Sequence, residues 1–318
     1  MSAQVSTLSA PFDQTPPSWQ SRLVSQFLRW RFKRRPFPTE EQNVAFVRRV
    51  TGDTRLARLR TPRGVSVQPV AASGVRGEWV WWPDTETPRT ILYLHGGGYI
   101  FGSPEIYRPL MATLARMLRA RVFALQYRLA PEHRFPAAIH DARQCWRMLL
   151  EQGINTDQTL LMGDSAGGGL AAALLTCIRD EALAAPRAAV LFSPWTDLAG
   201  TGASLRANSD SDAMFYEAGI HNAAGIYLGT ASRTDPLASP LYADLGGLPP
   251  MLIYASDSET LLDDSIRLAE KVRQAGGGAQ LRVAHRQPHV WPIMVGLMPE
   301  ARAALDQVRD FAGEQLNA

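Results

Sequence analysis

The sequence predicts an α/β protein, a mostly parallel sheet flanked by helices, and three observations carry the prediction. From about residue 65 onward, short apolar runs of strand length alternate with longer stretches of helical periodicity, the pattern of repeated β-α-β units. The chain has 318 residues, enough for one large domain or two ordinary ones. Hydrophobic residues make up 46% and charged residues 20%, a globular composition that excludes disordered, collagenous and disulfide-scaffold classes.

Residues 1–60 precede the alternation and read as a separate N-terminal cap segment. In it Arg22, Arg29, Arg31, Lys33, Arg34 and Arg35 form a basic run with no acid between them, and without these six the +3 balance becomes about −3. Leu23, Val24, Phe27, Leu28 and Trp30 recur at helical spacing, so the run is expected to be the solvated face of an amphipathic helix that buries this apolar side. The alternative is a surface for nucleic acid or an anionic membrane; nucleic acid is not expected as a partner. The first twenty residues, with Asp13, Pro16 and Pro17, lack the charged start and apolar run of a signal peptide, and no stretch reaches about 20 consecutive apolar residues. The expectation is a cytoplasmic protein without stable membrane insertion.

Residues 65–70 and 78–82 read as an opening antiparallel pair, followed by a strand at 90–95, a helix at 104–119 and a strand at 121–127. A helix at 136–151, a short buried strand at 159–163, an alanine-rich helix at 167–183 and a strand at 188–193 continue the alternation. It then stops over about residues 196–245, a mixed Gly, Ser, Asp and Pro stretch that reads as a lid or cap inserted into the domain of residues 61–318. A strand at 251–255, a helix reaching 275 and a strand at 280–285 resume it. The two cysteines, Cys145 and Cys177, fall in predicted helices; they are too few for a framework or zinc cluster and point to buried thiols in a reducing compartment.

Gly163-Asp164-Ser165-Ala166-Gly167 sits between a short apolar strand and a long helix. That strand-turn-helix placement is what a nucleophile elbow requires, because the turn is sharp and the helix N-terminus offers N–H groups to an oxyanion. His95-Gly96-Gly97-Gly98-Tyr99 follows the strand Ile91-Leu92-Tyr93-Leu94, and consecutive glycines there free main-chain N–H groups to point into a cavity. A phosphate loop would need Lys-Ser or Lys-Thr after its glycines, and a dinucleotide fingerprint needs G-x-G-x-x-G; neither is present. His95 precedes the serine and reads as structural. A base should lie downstream, where His221, His285 and His289 are available. His289 lies in the loop after the last strand, His285 ends that strand and His221 falls in the insertion, so His289 is the candidate. The orienting acid should leave the strand at 251–255, where Asp257, Glu259, Asp263 and Asp264 compete and spacing alone does not choose.

Four motifs together carry a resemblance: His95-Gly96-Gly97-Gly98, Tyr127-Arg128-Leu129-Ala130-Pro131-Glu132-His133, Gly163-Asp164-Ser165-Ala166-Gly167-Gly168, and Asp235-Pro236-Leu237 through Ser239-Pro240-Leu241. Over roughly residues 65–300 the chain resembles the bacterial hormone-sensitive-lipase-like esterases. The resemblance implies an α/β-hydrolase fold with a helical cap and hydrolysis of small carboxylic esters of short to medium acyl chain. It also implies no metal or organic cofactor, and frequent dimerisation through the last strand. It assigns oxyanion donors to Gly97, Gly98 and Ala166. Aligning Leu261 and Asp263-Asp264 with the family's Asp-Pro-Leu-x-Asp-Glu segment puts Glu259 at the position of the catalytic aspartate, a departure that a subset of the family shares. The triad implied is Ser165, His289 and Glu259.

Asp164, Tyr99, Trp195, Met214, Phe215 and Tyr216 are candidates for lining the substrate pocket; the last four could equally be cap core. Arg128 and Asp141 read as an ion pair bracing the loop beneath the oxyanion hole. Two rival functions keep most of these motifs. A ligand receptor on this scaffold, like the plant gibberellin receptors, would lose the histidine that stands here as His289. A hydrolase of lactones, amides or acetyl groups would keep every motif.

Overall fold

The computed structural model describes residues 13–33, 37–52, 54–85 and 87–317, so Arg34 and Arg35 of the basic run lie outside the described residues. The strands among them are β1 (Ser66–Ala72), β2 (Val75–Trp81), β3 (Thr90–Leu94), β4 (Arg121–Leu125), β5 (Thr159–Asp164), β6 (Ala188–Phe192), β7 (Met251–Ser256) and β8 (Ala279–Ala284). They form one sheet in the order β1-β2-β4-β3-β5-β6-β7-β8. The β1/β2 and β2/β4 pairs are antiparallel, and every later pair is parallel. The hairpin between β1 and β2 turns on Ser73 and Gly74, both at positive φ (52° and 73°), the geometry that a two-residue connection between twisted strands favours.

Every strand and helix expected from residue 65 to 285 is present, with ends moved by a few residues. The central strands are buried on both faces, so they read as continuous apolar runs. In β3 the side chains alternate between two cores: Leu92 and Leu94 pack with Trp146, Leu170 and Leu268 on one face, Ile91 and Tyr93 with Met111, Leu305 and Val308 on the other. Helices α5 (Ala137–Glu151), α6 (Ala166–Asp180) and α9 (Leu262–Gln274) cover the first face. Helices α4 (Pro104–Leu118) and α10 (Pro299–Leu316) cover the second. The sequence reading missed α10, although Ala301, Ala304, Leu305 and Val308 recur at helical spacing and are buried. Cys145 and Cys177 are buried free thiols in α5 and α6.

The remaining helices fall in the chain before β1 and between β6 and β7: α1 (Trp19–Phe32), α2 (Glu40–Thr51), α3 (Arg55–Arg60), α7 (Ala203–Ala207) and α8 (Glu217–Leu228). Two ion pairs tie α2 to the segment after β4, Arg48 to Glu132 and Arg134 to Glu40, both at 2.6 Å. The helix expected around the basic run exists as α1, but its orientation differs from the expectation. Leu28 is buried and Val24 half-buried, while Leu23, Phe27 and Trp30 face solvent. The five apolar residues span too wide an arc for one face, and the side holding Ser21 and Leu28 is the one that packs. No helix among the described residues is long and apolar enough to cross a membrane.

Candidate active site

Strand β5 ends at Asp164 and α6 begins at Ala166, so Ser165 alone makes the turn, at φ 52° and ψ −122°. A non-glycine residue in that region is strained and persists only where its surroundings hold it. The holding contacts are main-chain: Ser165 N–H donates to Phe192 O (2.8 Å), and Ser165 O accepts from Trp195 N–H (2.9 Å). The flanking glycines are required by close approach. A Cβ at Gly163 would lie 2.4 Å from Gly167 O, and one at Gly167 would lie 2.1 Å from Leu94 O.

The loop after β8 brings His289 to this turn, with Nε2 2.9 Å from Ser165 Oγ. On the other side of the ring, Nδ1 lies 2.5 Å from Glu259 Oε2, and both side chains are buried. The second oxygen of Glu259 accepts from Ser256 N–H (2.8 Å), which fixes the carboxylate at the end of β7. Burial disfavours the His289 imidazolium, but the hydrogen bond and charge of Glu259, with the charges of Asp212 and Asp164 behind it, outweigh that and raise the pKa above 6.5.

The three competing carboxylates are engaged elsewhere. Asp257 sits 2.6 Å from His285 Nδ1, so the alternative acid and alternative base bind each other. Asp263 accepts from Ser204 N–H (2.9 Å). Asp264 accepts from the N–H groups of Thr196 and Asp197 (2.7 and 2.8 Å), and its burial pushes the carboxyl up to about 8. His221 is placed in α8, 3.9 Å from Glu217.

Gly97 and Gly98 line the same cavity as Ser165 and His289. Gly97 has φ +123°, and a Cβ there would lie 2.0 Å from Phe101 O, so only glycine allows this path. Asp164 anchors the loop from below. Its Oδ1 accepts from Gly96 N–H and Tyr93 Oη, its Oδ2 from Tyr107 Oη, all at 2.9 Å. Burial raises the Asp164 carboxyl to about 6 against the lowering effect of these donors. His95 stacks on Tyr127 at 4.3 Å and its Nδ1 donates to Gly96 O (2.7 Å); burial pushes it down to about 4, which keeps it neutral. Arg128 and Asp141 form the bidentate ion pair beneath, at 2.7–3.0 Å.

Ser165 opens into an apolar cavity of about 370 Å³. Asp164, Trp195, Met214, Phe215 and Tyr216 line it, as do Leu28 and Phe32 of α1. Tyr99 lies outside the lining: it is buried and stacked on Tyr227 at 3.8 Å, a core position. Phe215 stands edge-on to the His289 ring at 5.2 Å. Sequence reasoning missed Asp212 and Asn208. Asp212 accepts from Thr260 N–H and Oγ1 (2.8 and 2.9 Å) and from Met214 N–H (2.7 Å). Asn208 Nδ2 donates to Asp257 O and Glu259 O (3.0 and 2.9 Å). Both tie the segment between β6 and β7 to the loop that carries Glu259, and nothing in their local sequence distinguishes them from ordinary polar loop residues. Among the described residues no group of three or more His, Cys, Asp or Glu could hold a metal ion.

The profile of a family described as alpha/beta hydrolase fold matches residues 91–293. An acetyl-hydrolase of Streptomyces hygroscopicus is 38% identical over 289 residues, covering 91% of this chain and 94% of that protein. An esterase of Acinetobacter venetianus is 35% identical over 249 residues, 78% of this chain and 82% of the relative. The crystal structure of an esterase from the bacterial hormone-sensitive lipase family superposes with a TM-score of 0.86 at 35% identity, covering 95% of this chain and 99% of that one. Fold, sequence and structural likeness agree: the chain belongs to the bacterial hormone-sensitive-lipase-like esterases of the α/β-hydrolase fold, and it is a carboxylic-ester hydrolase.

Proposed function

We propose that this hydrolase cleaves esters of short to medium acyl chain through an acyl-enzyme on Ser165, with His289 as general base and acid and Glu259 as its orienting carboxylate. The observation that carries the reading is the unbroken bonded chain from Ser165 Oγ through His289 to Glu259. The proton of Ser165 passes to Nε2 as Oγ attacks the ester carbonyl, and the N–H groups of Gly97, Gly98 and Ala166 receive the developing oxyanion. The imidazolium then protonates the leaving alcohol. Water attacks the acyl-enzyme by the same route in the second half-reaction and returns the proton to Ser165. Glu259 holds Nδ1 protonated and lowers the energy of the imidazolium at both steps.

Residues 1–60 and about 196–245 act in this reading as a cap over Ser165. Leu28, Phe32 and Phe46 from the first segment and Phe215 and Ile220 from the second wall the cavity, which supports that assignment. The apolar wall suits a hydrocarbon acyl or alcohol group. The acetyl-hydrolase relative favours removal of acetyl groups as a second reading within the same chemistry. A panel of esters graded by acyl length, with lactones, amides and acetylated substrates beside it, on wild type and Ser165→Ala, separates these. The proposal expects the highest kcat/KM among acetate to hexanoate esters and no turnover by the variant.

A homodimer through β8 and a cytoplasmic location belong to the same reading. One edge of β8 pairs with β7, and on the other Val283 O accepts the N–H of Asp13 (2.9 Å); among the described residues no second strand pairs with that edge, which supports the reading. Sedimentation velocity and cell fractionation test the two directly.

A further inference from the structure

Helix α1 has two apolar faces, and one of them has no partner among the described residues. Among the described residues, four of the six large hydrophobic side chains that stay exposed lie on this helix: Trp19 at 67%, Leu23 at 56%, Phe27 at 56% and Trp30 at 79%. At about 100° per residue they fall within an arc of about 80°, roughly opposite the side occupied by Ser21, Leu28 and Phe32. The Phe27 and Trp30 rings lie 6.0 Å apart, so the stripe is continuous at that end. Two tryptophans, a phenylalanine and a leucine on one line form an exposed patch that a monomeric surface rarely carries without use.

The charge around the stripe says what covers it. On the same wheel Arg22, Arg29 and Lys33 lie along one border and Arg31 along the other, and residues 19–33 contain no acidic residue. These four donate to main-chain carbonyls. Arg22 reaches Pro17, Arg29 reaches Asp210 and Ser211, Arg31 reaches Val50, and Lys33 reaches Ser209, Asp210 and Asp212. Arg22 and Arg29 are exposed and hydrogen-bond to carbonyls, whereas Arg31 and Lys33 are half-buried, and the Lys33 ammonium lies over the Tyr216 ring within the field of the Asp210 and Asp212 carboxylates. An apolar, tryptophan-rich stripe flanked by exposed arginines is the pattern of a helix that lies in a lipid interface, its rings at headgroup depth and its cations against anionic headgroups.

We propose that α1 docks the enzyme on an anionic phospholipid surface through Trp19, Leu23, Phe27 and Trp30, with the exposed Arg22 and Arg29 beside the stripe at the headgroups. The opposite side of the helix, Leu28 and Phe32, lines the cavity over Ser165, so the docked element is also part of the active-site roof. Docking is read without turnover and stands apart from the catalytic assignment.

The test is co-flotation of the full chain with vesicles of equal parts phosphatidylglycerol and phosphatidylcholine, beside vesicles of phosphatidylcholine alone. Wild type is expected to float with the anionic vesicles, to bind the neutral ones more weakly, and to be released by about 0.5 M salt. Trp19→Ser/Trp30→Ser is expected to lower the bound fraction at least about tenfold while hydrolysing a water-soluble acetate ester at the wild-type rate. If that variant loses soluble-ester activity through misfolding, Leu23→Asp on the same stripe provides the same comparison. Failure of wild type to float with anionic vesicles overturns the proposal, as does undiminished flotation of the folded variants. A dimer in sedimentation that the stripe variants abolish, without flotation of wild type, assigns the face to a second copy and overturns it as well.

Discussion

Oε2 of Glu259 lies 2.5 Å from Nδ1 of His289, with both side chains closed off from solvent, and the opposite nitrogen of the ring stands 2.9 Å from Ser165 Oγ. A carboxylate at that distance fixes Nδ1 as the protonated nitrogen and leaves Nε2 free to accept. Glu259→Gln keeps the volume but removes the charge and presents the wrong donor–acceptor pattern. Its kcat is expected to fall by about 10²–10⁴ with an unchanged circular dichroism spectrum. Turnover within about threefold of wild type would exclude Glu259 from this role.

The pH profile follows from the same pair. His289 must be neutral to accept a proton, and the carboxylates around it raise its pKa above 6.5. Activity is therefore absent on the acid side and rises with pH, and the midpoint of kcat/KM lies above 6.5. A midpoint below 6, measured with a substrate whose chemistry limits the rate, would contradict the arrangement.

Asp212 links the segment between β6 and β7 to the acid loop through Thr260, and its charge adds to the raising of the His289 pKa. Asp212→Ala orphans the buried N–H of Thr260 and removes the acceptor of the half-buried Met214 N–H, and is expected to cost about 1–3 kcal/mol of stability in urea unfolding. It should also move the pH midpoint downward. A stability loss with an unmoved midpoint would confine Asp212 to holding the loop.

Asp264 provides a contrast between a charge and an acceptor. With its carboxyl pushed up to about 8 it is mostly protonated at neutral pH, and what it supplies is an oxygen for the N–H groups of Thr196 and Asp197. Asp264→Asn retains that oxygen and is expected to lie within about 1 kcal/mol of wild type, whereas Asp264→Ala should lose about 1–3 kcal/mol. Equal losses in chemical unfolding would mean that charge is the contribution.

The sheet was legible because its central strands are buried on both faces and read as plain apolar runs. The elbow and the glycine loop were legible for a related reason: Gly163, Gly167 and Gly97 stand where a Cβ would collide with main chain. The acid was not legible from spacing, since four carboxylates crowd one loop and only the three-dimensional partners of Asp257, Asp263 and Asp264 set them apart from Glu259. Asp212 was invisible because its partner Thr260 is 48 residues away. Helix α1 misled for a physical reason: an apolar set wide enough to cover two faces gives no indication of which face the fold will bury.

The central claim is that Ser165 is the nucleophile and His289 its base, and intact-mass analysis after a fluorophosphonate reports on both. Wild type is expected to take up one phosphonyl group on Ser165 in step with loss of esterase activity, His289→Ala to react slower by orders of magnitude, and Ser165→Ala to remain unlabelled and inactive. Labelling at another residue, or esterase activity retained by Ser165→Ala, would contradict the account.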